Sequence, residues 1–281
     1  IGTEGYLFQY FPPTGQIKQT EAFHNNSIKS LALDGNGDLL AGTDNGLYVY
    51  HNDTTPLQHI IHDSRNIQSL TNNIIWNIFA DQEHNIWLGT DYGISLSRYN
   101  SALQFIPISQ ITGTGDGNQF YSLFRDSKGF YWFGGANGLI RFTDPAGERH
   151  DAIWYRMGDK TYPLSHNRIR HIYEDKEQQL WIATDGSINR YDYATRQFIH
   201  YNIVDNTGTY NTNWTYYIFE DTAGQLWIST CLGGIFVVDK RKLMQSTSGQ
   251  YIAEQNYSVH NGLSGMFINQ IIPDNEGNVW V

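Results

Sequence analysis

A repeat of about 48 residues constrains the fold of this chain more than any other feature of its sequence. Aspartates spaced 45 to 53 residues apart mark the repeats: Asp34, Asp81, Asp126, Asp175, Asp221 and Asp274. Six residues after the aspartate stands tryptophan in five repeats and Leu40 in the first. Leucine or isoleucine precedes each aspartate by three residues, and a small residue follows eight residues after it in the first five. Such a period is the signature of a repeat architecture.

Each repeat has the pattern of short strands separated by turns. In the second repeat, apolar runs at 74–80 and 86–90 flank a polar break, and two further strand patterns follow at 94–99 and 103–108. Runs of this length bounded by Gly, Asn and Asp predict strands. Four strands in each repeat predict an all-β fold, a β-propeller of four-stranded antiparallel blades with about six repeats present.

We expect a single propeller, or a fragment of one, over residues 1–281. The repeat units fall roughly at 1–25, 26–72, 73–118, 119–166, 167–212, 213–265 and, in part, 266–281. Residues 1–3 match 88–90, and the chain ends within the same type of strand. We therefore expect a piece of a longer chain. The alternative is a complete six-bladed ring in which Ile1 continues the last blade.

Composition excludes several classes of partner and site. The net charge of −10 disfavours nucleic acid and anionic membranes. No apolar run is long enough to cross a bilayer. The 10 histidines show no zinc-ligand spacing, so neither a metal nor another cofactor is expected. The one cysteine, Cys231, is interpreted as a small buried thiol.

The repeated aspartates and tryptophans are interpreted as folding elements. Each aspartate precedes a hairpin turn, where its carboxylate can accept hydrogen bonds from the backbone that follows. Residues 34–38 imitate the start of a calcium loop, but Asn45 stands where that loop needs a glutamate, so an ordinary hairpin is expected. We expect the tryptophans to pack between blades; stacking on sugar rings is the alternative.

The repeat also has a recognisable form. Residues 73–99 read Asn-x-Ile-x-x-Ile-x-x-Asp, a turn, and then Ile-Trp-Leu-Gly-Thr-x-x-Gly, with weaker copies at 26–50, 119–142, 167–191 and 213–239. This resembles the two-component-regulator propeller repeat of the periplasmic sensor region of Bacteroidetes hybrid two-component systems. The resemblance implies a seven-bladed ring, of which this chain holds part. It also implies a parent chain with a β-sandwich domain, one membrane helix and a cytoplasmic histidine kinase with a DNA-binding output.

The same resemblance implies the function. The segment would be the ligand-sensing, non-enzymatic ectodomain of an inner-membrane sensor, located in the periplasm. Its ligand would be an oligosaccharide released by polysaccharide breakdown. Its other partners would be the remaining blades and domains of the parent chain and, as an option, a second copy in a homodimer. It would make no contact with nucleic acid and would be tethered to the membrane only through the parent chain.

Candidate binding residues stand at positions that the repeat leaves free. Five and seven residues before the aspartates, large polar and aromatic residues differ from blade to blade, and we expect them on the same strand face as the apolar residue at minus three. The predicted ligand-binding residues are Trp76, Tyr121, Arg168, Arg170, Trp214 and Tyr216. Aromatic faces would take sugar rings, and polar groups would read hydroxyls. Alternatively, these side chains plug the channel or meet neighbouring loops.

Arg168 and Arg170 form a basic spot that would suit a carboxylated or sulfated sugar, unless they pair with Glu174 or Asp175. We expect Arg170→Ala or Trp76→Ala to weaken binding with little change in melting temperature.

Two other classes of function remain open. A carbohydrate-active hydrolase or lyase would need two unique carboxylates, and the candidates outside the repeat register are Asp116, Glu148, Asp151, Asp159 and Asp205. A dimerisation or interaction scaffold without a ligand would instead expose an apolar patch.

Overall fold

The structure, a computed structural model, describes residues 1–20, 26–51, 56–99, 105–107, 119–143, 152–161, 163–247, 249–274 and 276–281. Almost all of its regular structure is β-strand. The strands are β1 Leu7–Phe11, β2 Gln16–Thr20, β3 Ile28–Leu33, β4 Leu39–Thr43, β5 Gly46–Tyr50, β6 Pro56–Ile60, β7 Ile75–Ala80, β8 Ile86–Thr90, β9 Gly93–Ser97, β10 Phe105–Pro107, β11 Phe120–Arg125, β12 Tyr131–Gly135, β13 Gly138–Phe142, β14 Ile153–Tyr155, β15 Ile169–Glu174, β16 Leu180–Thr184, β17 Ser187–Asp192, β18 Gln197–Tyr201, β19 Ile203–Val204, β20 Thr215–Glu220, β21 Gln225–Thr230, β22 Ile235–Asp239, β23 Tyr251–Ile252, β24 Gln255–Tyr257, β25 Ile272–Pro273 and β26 Val279–Trp280. Within these described ranges there is one helix, α1, over Lys240–Gln245.

The chain divides into two compact units. The first contains Ile1–Arg125 and Phe142–Ala152, and the second contains Asp126–Arg141 and Ile153–Val281. In the first unit, β3–β6 and β7–β10 each form a four-stranded antiparallel sheet in chain order. In the second unit, β15–β18 form another, and β20, β21, β22 and β24 form a fourth. These repeated sheets confirm the predicted four-stranded antiparallel blade.

The core of each unit lies between successive sheets. In the first unit, Leu40 and Val49 pack with Ile75 and Ile78 of the next repeat. In the second, side chains of β16 and β17 pack with those of β20–β22. Burying one such aliphatic side chain contributes about 1.5–3 kcal/mol, so the contact between repeats is a main source of stability.

The small residue eight positions after each aspartate is required by this close packing. A β-carbon added at Gly134 would lie 2.4 Å from the Ile169 side chain of the next repeat. At Gly89 it would lie 2.7 Å from the backbone oxygen of Phe120. The next repeat therefore lies too close to both glycines for a larger residue at either position.

The repeated aspartates bind the turn and the tryptophan of their own repeat. Oδ1 of Asp81 accepts backbone N–H groups two and four residues later, at 3.1 and 2.8 Å, while Oδ2 accepts Nε1 of Trp87 at 2.8 Å. The same carboxylate-to-indole bond, at 2.7–2.9 Å, recurs in the four later repeats. In the first repeat, Oδ1 of Asp34 caps its turn in the same way, but the side chain of Leu40 has no N–H to donate. This confirms the structural interpretation of the aspartates and of the hairpin at 34–38.

The tryptophans of the second to fourth repeats are fully buried, and that of the fifth is half-buried. Trp132 contacts Tyr155 and, in the next repeat, Tyr191, with ring centroids 5.9 and 4.9 Å apart. The predicted packing role is confirmed for these residues. Trp280 in the last repeat is half exposed.

Hydrogen bonds also join successive repeats four residues before the aspartates. Oγ of Ser30 accepts N–H of Ile78 at 3.0 Å in the first unit, and Nδ1 of His171 accepts N–H of Ile218 at 3.2 Å in the second. His171 also stacks on Tyr217, with ring centroids 3.8 Å apart. Burial lowers the pKa of His171 from 6.5 to about 3. The imidazole is therefore neutral and can accept this bond.

Because His171 is buried as a neutral group, the stability of the folded chain depends on pH. In the unfolded chain His171 binds a proton below its ordinary pKa of 6.5, whereas in the folded chain it stays neutral down to about 3. Its contribution to stability is therefore complete above pH 6.5 and is lost as the pH falls toward 3, by about 1 kcal/mol per pH unit. We expect His171→Asn, which keeps an acceptor oxygen but does not titrate, to lose less stability than the wild type between pH 6.5 and 4. Urea denaturation at several pH values measures this, and parallel pH profiles would contradict it.

A buried lysine joins the fourth and fifth repeats. Lys240, at the start of α1, is 1% exposed, and its Nζ lies 2.7 Å from Oε1 of Glu220, 3.1 Å from Oδ2 of Asp175 and 3.3 Å from Oε2 of Glu177. Burial opposes its charge, but hydrogen bonds with Glu220 and Asp175 outweigh that effect and raise its pKa above the ordinary value. The ammonium group therefore stays charged and compensates two buried carboxylates.

Candidate functional site

Three of the four predicted binding residues that stand five positions before the aspartates lie on β-bulges. The pairing of β7 with β8 skips Trp76, and the pairings of β15 with β16 and of β20 with β21 skip Arg170 and Tyr216. Lys29 is skipped in the same way in the first repeat. Bulges re-aim side chains and occur often beside functional sites.

The bulge also corrects the predicted alternation along these strands. In β7 the buried residues are Ile75 and Ile78, which are three apart, while Trp76 and Asn77 between them are half-buried. An extra residue on one strand shifts the side-chain period of two. The residue at minus five therefore does not share a face with the apolar residue at minus three.

In the first unit, an aromatic and amide cluster forms around Asp91. Its Oδ1 accepts Nε1 of Trp76 at 3.0 Å and Nε2 of Gln119 at 2.7 Å. The hydroxyl of Tyr121 donates to Oε1 of Gln119 at 2.5 Å. Trp76 and Tyr121 meet edge to face at 5.4 Å, and Nζ of Lys29 lies 4.5 Å from the Trp76 ring centroid. The structure thus brings together the two predicted residues of this unit.

In the second unit, an arginine and aromatic cluster forms around Asp185. Nε and Nη2 of Arg170 donate to its two carboxylate oxygens at 2.8 and 3.3 Å, and Nη1 of Arg168 lies 3.8 Å from Oδ2. The guanidinium of Arg170 also covers the ring of Tyr216 at 4.6 Å. Burial raises the pKa of Tyr216 more than Arg170 lowers it, so the hydroxyl remains protonated and can donate to a ligand. Three of the four predicted residues of this unit are therefore in one cluster.

Trp214, the fourth predicted residue, joins this cluster through its backbone. Its N–H donates to the carbonyl of Asp185 at 3.0 Å, and its carbonyl accepts the N–H of Cys231. It adopts a left-handed φ of 56°, and 48% of the residue is exposed. Phe267, also half exposed, meets Tyr216 edge to face at 5.3 Å. The second unit therefore presents open aromatic surface beside a fixed arginine, an arrangement that can hold a polar ring-shaped ligand.

The structure changes the expected partners of Arg168 and Arg170, the two residues of the predicted basic spot. The arginines pair with Asp185, and not with Glu174 or Asp175. Glu174 instead accepts the backbone N–H and the hydroxyl of Ser127. Because Asp185 is almost buried and binds both guanidinium groups, it offsets much of their positive charge. The cluster therefore favours an anionic ligand less than the sequence predicted.

Asp91 and Asp185 were not among the predicted site residues. Both stand ten positions after a repeat aspartate, where the first repeat has Asp44, the third Ala136 and the fifth Cys231. Asp44 likewise binds the residue seven before its repeat aspartate, accepting the N–H of Ser27 at 3.0 Å. This second register could have been found from the sequence. Cys231 itself is only half-buried, so its interpretation as a buried thiol is wrong.

The contacts of Arg170 and Trp76 favour a larger loss of stability in Arg170→Ala and Trp76→Ala than the small change in melting temperature expected from the sequence. Arg170 is mostly buried against an almost buried carboxylate, and Trp76 donates a hydrogen bond to another. Removal of either side chain takes a hydrogen-bond donor from its carboxylate and leaves only Gln119 on Asp91 or the more distant Arg168 near Asp185, which is destabilising. Exposed Trp214 and Arg168 are better probes of binding.

Of the candidate catalytic carboxylates, Asp116, Glu148 and Asp151 lie outside the described residues. Asp205 is nearly buried, and its carboxylate accepts N–H groups of Thr207 and Tyr210, so it shapes its own turn. The half-buried Asp159 likewise accepts the N–H of Thr161. Within the part of the chain that the structure describes, no helix has the length and apolarity needed to cross a membrane.

Comparisons with known proteins agree with the fold. The sequence model of the family described as two component regulator propeller matches residues 69–92, 114–137 and 163–186. No curated protein sequence matches the chain. Among solved structures, the chain is 99% identical to part of an extracellular domain assigned to a hybrid two-component system of B. thetaiotaomicron, with a TM-score of 0.62. The match covers 100% of this chain and 38% of that one, so the chain spans well under half the length of this relative.

Two more distant structures show the fold alone. One is a further extracellular domain assigned to a hybrid two-component system of B. thetaiotaomicron, 23% identical with a TM-score of 0.71, covering 95% of this chain and 35% of that one. The other is the WD40 β-propeller domain of Doa1, 11% identical with a TM-score of 0.65, covering 99% of this chain and 83% of that one. The β-propeller fold predicted from the repeat is confirmed.

Proposed function

Because this chain belongs to the two-component regulator propeller family, we propose that it is a ligand-sensing part of the extracytoplasmic domain of a hybrid two-component sensor. Its near-identity to a segment of an extracellular domain supports the location, which we take to be the periplasm. The kinase activity and the DNA-binding output would belong to the rest of the parent chain. In this proposal the segment is not itself an enzyme.

We further propose that the ligand is an oligosaccharide bound at the bulged residues and the side chains beside them. The observation that carries this proposal is the cluster of Arg170, Tyr216 and exposed Trp214 on Asp185. Repeat packing alone does not explain why Trp214 leaves about half of its surface exposed while its backbone N–H binds the residue that holds the Arg170 guanidinium. An exposed aromatic face can stack on a sugar ring, while guanidinium and hydroxyl groups donate hydrogen bonds to its hydroxyls.

Signalling would follow from a difference in affinity. A ligand shifts the balance between two arrangements of the sensor only as far as it binds one arrangement more tightly than the other. We propose that the bound sugar favours one arrangement of the domains, or of a dimer, and that the kinase responds to it.

A thermal-shift screen tests whether the chain binds such ligands. The panel should contain neutral and acidic oligosaccharides of plant, host and microbial glycans. A ligand at 100 times its dissociation constant stabilises the folded state by about 2.7 kcal/mol, which raises the melting temperature by a few degrees. We expect a response to one glycan class. A well-folded protein that responds to none of them would contradict direct sensing by this segment and favour an interaction scaffold.

Trp214→Ala should weaken binding of the responding oligosaccharide about 30-fold, because truncation of a central tryptophan costs about 2 kcal/mol of binding free energy. Its exposure means that stability should change by less than about 1 kcal/mol. Titration calorimetry measures the affinity. Leu33→Ala is the matched control, since Leu33 is also largely exposed but lies at the opposite end of its strand from bulged Lys29. Equal affinities of Trp214→Ala and Leu33→Ala would show that Trp214 does not contribute to binding.

A further inference from the structure

A polar pocket separate from the bulged residues lies within the second unit. Its volume is about 550 Å3, and it opens between the turn at 205–210 and the segment 253–261. This volume falls in the range of pockets that bind small molecules. None of the six predicted binding residues lines it.

Internal hydrogen bonds hold both walls of the pocket in place. In the first wall, the carboxylate of Asp205 accepts N–H groups of Thr207 and Tyr210 at 3.2 and 2.8 Å. In the second, Oδ1 of Asn261 accepts the N–H of Ser258 at 2.6 Å, and its Nδ2 donates to the carbonyl of Asn256 at 2.8 Å. Ordering these loops therefore costs little when a ligand binds.

Parallel pairing of β19 with β23 ties the two walls together. Ile203 and Val204 pair with Tyr251 and Ile252, and the N–H of Ala253 donates to the carbonyl of Val204 at 2.9 Å. The two segments that flank the pocket are thus joined by backbone hydrogen bonds directly beside it. The pocket is a built feature of the unit, not a gap between independent loops.

Other polar side chains of the lining are available to a ligand. Asn206, Gln255 and His260 are exposed, and among the described residues their side chains make no hydrogen bond. Amide groups donate and accept at once, as does a neutral imidazole. The half-buried ring of Tyr210 adds an aromatic surface. Such a lining matches a ligand that carries many hydroxyl groups.

The charge of the lining residues also restricts which ligands the pocket can take. Asp205 and Glu254 carry negative charge, and neither lysine nor arginine is among the lining residues that the structure describes. An anionic ligand would be repelled. We infer that this pocket is a second ligand site, which takes a short neutral saccharide. The inference does not rest on the proposed role of the bulged residues, because it uses different side chains.

Binding of neutral di- and trisaccharides of glucose, galactose, mannose, xylose and arabinose tests the inference. Titration calorimetry should be carried out on the wild type, on Asn206→Ala/Gln255→Ala and on Trp214→Ala. The matched control is Asn202→Ala, an exposed asparagine outside the pocket. We expect the double variant to bind the responding saccharide at least tenfold more weakly, and the control to bind as the wild type does.

A second readout needs no variant. The ring protons of His260 should shift in the NMR spectrum of the wild type when the saccharide is added. An unchanged affinity in the double variant, an unmoved His260 or a lack of binding by every saccharide would overturn the inference. If only Trp214→Ala weakened binding, the inference of a second site would also be overturned, but the proposed function would stand. Weakened binding in the double variant alone would support the second site and count against the first.

Discussion

Lys240→Met is expected to lower the free energy of unfolding of the second unit by about 3–5 kcal/mol. Methionine retains most of the side-chain volume but removes the charge that lies 2.7 Å from Glu220 and 3.1 Å from Asp175. The Asp175 side chain is fully buried and that of Glu220 nearly so, so the variant would leave two neighbouring buried carboxylates without a cation. Urea denaturation with an unchanged slope measures the loss.

The same helix provides the control for this prediction. Lys242, two residues later, has a side chain that is 65% exposed, and it pairs with Glu254 at 3.2 Å. Exposed pairs contribute at most about 1 kcal/mol, so Lys242→Met should be close to the wild type. Adding Glu220→Gln to Lys240→Met should restore part of the loss, because one of the unpaired charges is removed. Similar stabilities of Lys240→Met and Lys242→Met would contradict the central position given to the buried lysine.

Asp81→Ala should destabilise the first unit by about 2–4 kcal/mol. The substitution removes the cap of the turn and leaves Nε1 of Trp87 without the carboxylate that accepts its N–H at 2.8 Å. A buried donor left without a partner costs about 1–3 kcal/mol, and the turn adds about 1 kcal/mol. Chemical denaturation of the variant and the wild type measures the difference.

Asp34→Ala is the matched control in the preceding repeat. Asp34 caps the same turn, but Leu40 stands in the tryptophan position, so only the cap is lost. We expect a loss of about 1 kcal/mol. In a double-mutant cycle, Asp81→Ala and Trp87→Phe should couple by at least about 1 kcal/mol. Equal losses in Asp81→Ala and Asp34→Ala would show that the indole bond contributes nothing.

The fold could be predicted from the sequence because the same pattern of residues occurs in every repeat. Aspartate, tryptophan and a small residue recur at the spacing of Asp81, Trp87 and Gly89. The aspartate binds the turn and the indole of its own repeat, and the small residue lets the next repeat approach closely. The predicted roles of the aspartate and tryptophan follow from that recurrence. A residue that has the same role in each blade recurs at regular spacing in the sequence, where it can be recognised.

The candidate site was predicted less completely because its geometry departs from the repeat. The bulge at Trp76 breaks the period of two, and no residue type in the pattern marks it. Asp185 has the sequence pattern of a turn residue, although its carboxylate holds Arg170. Lys240 lies in an insertion without a counterpart in other repeats, so only the folded chain brings it to Asp175. The residues that could recognise a ligand are those that differ from one repeat to the next, so the repeat pattern does not predict their contacts.

Fluorine NMR of the chain labelled with 5-fluorotryptophan tests the central proposal most directly. The chain has 8 tryptophans, and single Trp→Phe variants assign their signals. On addition of the oligosaccharide class that raises the melting temperature, we expect the signal of Trp214 to move. The signals of buried Trp87, Trp132 and Trp181 should stay in place, because their rings are closed off within the repeats. An unmoved Trp214 signal at saturating oligosaccharide would contradict binding at the cluster around Asp185 in the second unit.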